Sequence, residues 1–124
     1  MLGKIVLWVS AVAFISYGLT SLFSPEIPSA YSGLQMTNGD AIAEIGAMYG
    51  GLQTGFGLFC MLAALKQPYY KSGLVLLIIC IGTLALARFY TTLTVAGPFS
   101  YYTWGAMVYE FVTAILAGVA LRKA

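Results

Sequence analysis

Three ionisable residues interrupt otherwise apolar stretches of this sequence: Glu44, Arg88 and Glu110. Two carboxylates and one guanidinium can form a buried salt-bridge cluster, or they can form a pocket for a polar or anionic ligand. Several side chains lie near these charges in sequence or in helical phase and could donate further hydrogen bonds. They are Tyr49, Gln53, Tyr90, Thr91, Thr92 and Tyr109. The residue types therefore predict a polar site within an apolar chain.

The same residue types exclude several kinds of chemistry. The chain has no histidine, which removes imidazole acid–base catalysis, His-ligated haem and most zinc sites. Its two cysteines have no metal-binding spacing. Ser10, Ser16 and Ser21 have no basic partner to activate them as nucleophiles, and the glycines after Glu44 lack the Lys-Ser/Thr of a phosphate-binding loop. We predict no catalytic residue, no metal and no cofactor.

Composition indicates which elements position the three charges. Of 124 residues, 60% are hydrophobic and only 8% are charged, so a water-soluble fold would have few residues for its surface. The net charge of +2 is too small and dispersed to indicate a nucleic-acid partner. The sequence predicts an all-α membrane protein, a single four-helix transmembrane bundle over residues 1–124 in a lipid bilayer. Its spans are predicted at about 5–23, 41–65, 72–95 and 102–121.

Turn residues mark the ends of these spans. Pro25 ends the first helix, and the following connection, 24–39, is the longest polar one. Tyr31 and Leu34 indicate that part of this connection folds onto the membrane surface. Asp40 is the expected N-cap of the second helix. A short turn over residues 66–71 then makes helices two and three an antiparallel hairpin.

Loop charges predict the orientation of the bundle. Five of the six cations fall on one side of a four-span chain: Lys4, Lys66, Lys71, Arg122 and Lys123. The two opposite loops contain Glu26 and Asp40 and no lysine or arginine. The positive-inside rule therefore places both termini in the cytoplasm.

The three apolar-region charges are predicted to meet inside the bundle. At 1.5 Å of rise per residue, Glu44 lies roughly 6 Å below the outer end of its span, and Arg88 and Glu110 lie roughly 13 Å below theirs. An unpaired charge in a bilayer costs about 2.5–3.5 kcal/mol on insertion scales. We therefore predict that Arg88 bridges both carboxylates. The remaining negative charge requires either a protonated carboxylate or a cation, water or partner. The cluster is either a structural link between helices or an outward-facing ligand pocket.

Two rows of small residues indicate close helix packing in the second span. Small residues at every fourth position let a neighbouring backbone approach in lipid. One row is Gly46, Gly50 and Thr54, and the adjacent row is Ala47, Gly51 and Gly55. These rows predict that the second helix is central to the bundle.

The segment from Glu44 through Ala47-Met48-Tyr49-Gly50-Gly51-Leu52-Gln53, followed by Ala87-Arg88 and Glu110, resembles a family of small four-helix bacterial inner-membrane proteins. This family is known as a domain of unknown function and is related in pattern to DoxX-like proteins. The resemblance covers nearly the whole chain. Members typically carry an arginine two residues after the first glutamate, where this chain has Gly46. The resemblance implies the fold and the bacterial inner membrane. It implies no activity, although DoxX-like relatives are associated with redox-linked membrane complexes.

These observations leave three functions open. The first is a non-enzymatic accessory or interaction subunit that packs against a membrane-protein partner or a second copy of itself. The second is a binder or carrier of a small polar, anionic or lipid ligand in an outward-facing pocket at Arg88. The third is a component of a membrane redox complex in which another subunit holds the cofactor.

Overall fold

The structure, a computed structural model, describes residues Met1–Ala124 and consists of helices and connecting segments without a strand. Four helices are long and apolar enough to cross a membrane: α1 (Leu2–Phe23), α3 (Gly39–Leu65), α4 (Gln67–Thr94) and α5 (Tyr101–Arg122). A short helix, α2 (Glu26–Ser32), connects α1 to α3. The predicted all-α fold with four potential spans is confirmed. The orientation of the termini stays a prediction.

Helix α4 begins earlier than the sequence predicted. Its first turn is a 3-10 helix, Gln67–Tyr69, with Pro68 near the start. Proline has no backbone N–H, and the first turn of a helix leaves its N–H groups without a partner in the helix, so proline is tolerated there. An α-helix follows at Tyr70–Leu76 without interruption. The predicted turn over residues 66–71 is therefore wrong in its second half, where the chain is already helical. Proline is compatible with the first turn of a new helix as well as with the end of the preceding one.

The connection before α3 is also more ordered than expected. Helix α2 follows Pro25 and ends at Gly33, whose φ of 81° is a left-handed conformation that glycine adopts without strain. The N-cap of α3 is Asn38 and not Asp40, because the Asn38 side chain accepts a hydrogen bond from the Ala41 N–H at 2.9 Å. The observed cap thus lies two positions before the predicted one.

Helices α3 and α4 each contain a π-helical turn. In α3 the order is α-helix Gly39–Ile45, π-helix Gly46–Gly51 and α-helix Leu52–Leu65. In α4 a π-helix, Leu77–Ile81, precedes the α-helix Gly82–Thr94. The π-helical turn of α3 falls on the glycine-rich motif that carries the family resemblance, and such turns frequently occur at functional sites.

The chain divides into two compact units. The first unit contains Met1–Leu7 and Ala63–Ala124, and the second contains Trp8–Leu62. In the first unit the buried core includes Leu7, Leu74, Leu77, Ile81, Ala85, Met107 and Ala117. In the second it includes Ser10, Ala11, Phe14, Ile45 and Cys60. The expected single domain stays a prediction.

Candidate functional site

Arg88 and Glu110 form a two-pronged salt bridge between α4 and α5 in the first unit. Arg88 Nε donates to Glu110 Oε1 and Arg88 Nη2 donates to Glu110 Oε2, each at 2.9 Å. The Glu110 side chain is 6% exposed and that of Arg88 is 25% exposed. A guanidinium that meets a carboxylate in this fork geometry makes two charge-assisted hydrogen bonds. The predicted salt bridge between the third and fourth spans is confirmed.

The helices on either side of this salt bridge are tightly packed. Phe89 and Phe111, each next to one of the charged residues, meet edge to face with ring centroids 6.2 Å apart. A Cβ atom on Gly82 would lie 3.6 Å from the Ala114 Cβ, which is ordinary van der Waals contact. The salt bridge therefore belongs to a continuous contact between α4 and α5 and links the two helices.

The hydroxyl groups near Arg88 are used within their own helix. Thr91 Oγ1 donates to the Ala87 carbonyl oxygen at 3.0 Å, and Thr92 Oγ1 donates to the Phe89 carbonyl oxygen at 2.7 Å. This bonding to a preceding carbonyl is common for threonine in helices. It corrects the expectation that these two residues donate to the charged pair. The Tyr90 side chain is 67% exposed.

Glu44 lies in the second unit. Its side chain is exposed, and it has no salt-bridge partner within that unit. Tyr49 is half-buried and its ring lies 6.3 Å from that of Tyr17, while Gln53 is half-buried in the next turn. The pairing of Glu44 with Arg88 stays a prediction.

One of the two small-residue rows packs against α1. A Cβ atom on Gly50 would lie 2.9 Å from the Leu22 Cβ, and one on Gly18 would lie 2.6 Å from the Thr54 backbone nitrogen. Thr54 also donates its hydroxyl hydrogen to the Gly50 carbonyl oxygen at 2.7 Å. Any larger residue at Gly18 or Gly50 would force the helices apart, so the row of Gly46, Gly50 and Thr54 lies at the contact with α1.

The other row faces away from the packing of the chain. Ala47, Gly51 and Gly55 are all exposed, and a Cβ atom on Gly55 would meet nothing within 4 Å. Glu44 precedes Ala47 by three residues, so it lies on the same side of the helix. We refer to Glu44, Ala47, Gly51 and Gly55 as the open face of α3.

Sequence reasoning missed a cleft between the second half of α1 and α2. Its volume is about 340 Å³, and its lining includes Ala13, Ser16, Tyr17, Thr20, Ser21 and Tyr31. Ser21 is fully buried, and its hydroxyl has no hydrogen-bond partner. A buried polar group left in this state costs about 1–3 kcal/mol. The only sequence signal for the cleft is the spacing of hydroxyl residues 16, 20 and 21 along one side of an apolar helix.

Comparison with known proteins identifies a family. A family profile described as "Domain of unknown function (DUF4345)" matches residues 2–121. No match was found among curated proteins or among solved structures. The relation to DoxX-like proteins stays a prediction. Because this match covers nearly the whole chain, including all or almost all of each of the four apolar helices, the chain belongs to the DUF4345 family.

Proposed function

We propose that this protein is a non-enzymatic subunit of the bacterial inner membrane and that it binds a transmembrane helix of a partner protein on the open face of α3. The observation that carries this proposal is the composition of that face. It presents exposed small residues and one exposed carboxylate in a helix apolar enough to cross a membrane. On a side of a helix that faces only lipid, small residues would pack against no other helix and a carboxylate would be unfavourable.

The small residues support a helix as the binding partner. Within a bilayer, helices associate through van der Waals packing, and small side chains allow the backbones to come close. The exposed side chains of Met48 and Leu52 stand beside the row of Ala47, Gly51 and Gly55. The row is thus a shallow groove beside larger apolar side chains, which suits a helix from another chain.

Glu44 supports a partner with a cationic residue. An isolated carboxylate within a membrane span is unfavourable by about 2.5–3.5 kcal/mol. The arginine that resembling proteins carry two residues later is replaced here by Gly46. A lysine or arginine on the partner helix, at the depth of Glu44, would supply the missing positive charge.

The geometry of Arg88 favours a structural role over the alternative function of binding an anionic ligand. Two donor groups of its guanidinium already bind Glu110. The pair is neutral as a whole, so an approaching anion would compete with a carboxylate that is held in place by α5. Glu110 already neutralises the positive charge of Arg88. A cation from another chain is therefore a better match for Glu44 than Arg88 is.

The proposal predicts that enlarging the open face removes the partner. Gly51→Leu and Gly55→Leu should each abolish co-purification of the partner from native membranes in a mild detergent, because leucine fills the groove. Glu44→Gln should weaken the same association. All three variants should fold as well as the parent chain, since these positions are exposed. Thermal unfolding in detergent measures that requirement.

Gly105→Leu is the matched control, because Gly105 is another exposed glycine with nothing within 4 Å of an added Cβ. It should leave the association intact. A photo-cross-linking residue at position 47 should capture the partner in intact membranes, and one at position 105 should not. A second copy of this chain would give a cross-linked dimer in the same experiment. Recovery of an unchanged complex from both leucine variants of α3 would show that the open face is not the binding surface.

A further inference from the structure

The cleft between α1 and α2 has the properties of a binding site for a neutral lipid. It lies within the second unit, Trp8–Leu62, and none of its lining residues belongs to the salt bridge or to the open face of α3. We propose that it binds the acyl chain and ester group of a neutral glycerolipid, with the Ser21 hydroxyl donating a hydrogen bond to the ester carbonyl.

The size and lining of the cleft define the class of ligand. Its volume of about 340 Å³ falls within the range of small-molecule sites. Apolar, aromatic and hydroxyl side chains line it, and none of the lining residues carries a charge. A charged headgroup inside it would lose its hydration without gaining a counter-ion. The ligand is therefore neutral and largely apolar.

Ser21 indicates which polar group the ligand carries. It lines the cleft and yet is fully buried, whereas Ile27 and Tyr31 on the opposite wall are 43% and 69% exposed. Ser21 is thus at the closed end, and the two α2 residues are at the mouth. The Ser21 hydroxyl has a hydrogen to donate and no acceptor in the protein. The hydroxyl has almost no accessible surface, so a ligand carbonyl oxygen supplies that acceptor when the Ser21 side chain rotates toward the cleft.

The position of Ser21 along α1 favours an ester of a membrane lipid as the source of this carbonyl. Ser21 precedes the last residue of α1, Phe23, by two residues, which is roughly 3 Å of helix rise. The hydroxyl consequently lies where a membrane-spanning α1 would leave the hydrocarbon core for the interfacial layer, and the ester groups of bilayer lipids occupy that layer. An acyl chain in the cleft would place its ester at Ser21.

Photo-labelling of the purified protein in detergent tests the proposal. The probe is a monoacylglycerol with a diazirine in its acyl chain, and the labelled residues are located by mass spectrometry. Labelling is expected within residues 13–31. Ser21→Ala should lower it about fivefold, which corresponds to the loss of one neutral hydrogen bond. The variant should remain folded, because it removes a buried group that has no partner.

Three controls make the result specific. Ser16→Ala removes an exposed hydroxyl from the same cleft and should change labelling by less than about twofold. Ala13→Leu narrows the cleft and should abolish labelling even if the serine contributes little. The methyl ester of a fatty acid should compete with the probe, whereas the alkane of the same chain length should not. Equal competition by the alkane, or labelling that neither Ser21→Ala nor Ala13→Leu reduces, would overturn the proposal.

Discussion

Arg88 and Glu110 are each unfavourable alone in apolar surroundings, and each neutralises the charge of the other. Glu110 is almost fully buried, while Arg88 keeps a quarter of its side chain exposed. Each residue alone would be an ionised group in apolar surroundings, and together they form a neutral pair with two hydrogen bonds. Replacing only one of the two residues should therefore lower the free energy of unfolding more than replacing both.

At this residue scale we predict that Arg88→Leu is more harmful than removal of the whole pair. The single variant leaves Glu110 buried without its cation, and the loss of one member of a buried pair typically costs about 3–5 kcal/mol. Adding Glu110→Leu should recover most of that loss, because an apolar pair needs no counter-charge. Unfolding in mixed micelles, with increasing fractions of a denaturing detergent, measures the free energies.

Glu44→Gln serves as the comparison for this prediction. It alters an exposed carboxylate, so it should change the stability of the chain by less than about 0.5 kcal/mol. If the double variant proved no more stable than Arg88→Leu alone, the harm would come from lost packing of the arginine side chain and not from an unpaired carboxylate.

At the scale of elements, helix α3 presents two rows of small residues with opposite surroundings. A Cβ atom on Gly50 would lie about 3 Å from the backbone of α1 at Leu22, whereas one on Gly55 would meet nothing within 4 Å. The same substitution, glycine to alanine, can therefore be made in each row of this helix, so that the two variants differ only in their surroundings.

We predict that Gly50→Ala destabilises the protein and that Gly55→Ala does not. An added methyl at Gly50 would overlap Leu22, and overpacking of this kind costs about 1–3 kcal/mol. At Gly55 alanine meets no neighbour and stabilises the helix by up to about 1 kcal/mol. Thermal unfolding in detergent, followed by circular dichroism, should rank Gly55→Ala at or above the parent protein. Equal melting temperatures for the two variants would contradict the close contact between α1 and α3.

At the scale of the whole molecule, the remaining prediction concerns the orientation in the membrane. In a background of Cys60→Ala and Cys80→Ala, Asp40→Cys should react with a membrane-impermeant maleimide on intact cells. Lys66→Cys should react only after the membrane is permeabilised, because the positive-inside rule predicts that the cationic loop is cytoplasmic. The reverse pattern of labelling would invert the topology. The two positions lie at opposite ends of the apolar part of α3. Each therefore serves as the control for the other, because only one of them should react on intact cells.

The number of long apolar helices and the need for a salt bridge could be read from the residues alone. Both follow from local properties: a run of apolar residues has a length that can be compared with the bilayer, and an ion within such a run is unfavourable wherever the helix lies. For the same reason the approximate ends of α1, α3 and α5 were predictable. The start of α4 was not, because Pro68 is compatible with either the end of one helix or the first turn of the next.

Which surfaces meet became clear from the packing of the helices and not from their sequences. The packing pairs Glu110 with Arg88, places the row of Gly50 rather than the row of Gly55 against α1, and leaves the Ser21 hydroxyl buried without a partner. Helical periodicity shows which residues share a face, but it cannot show which other helix that face contacts. The π-helical turn at Gly46–Gly51 adds to this, because a wider turn shifts the phase of every later residue in α3.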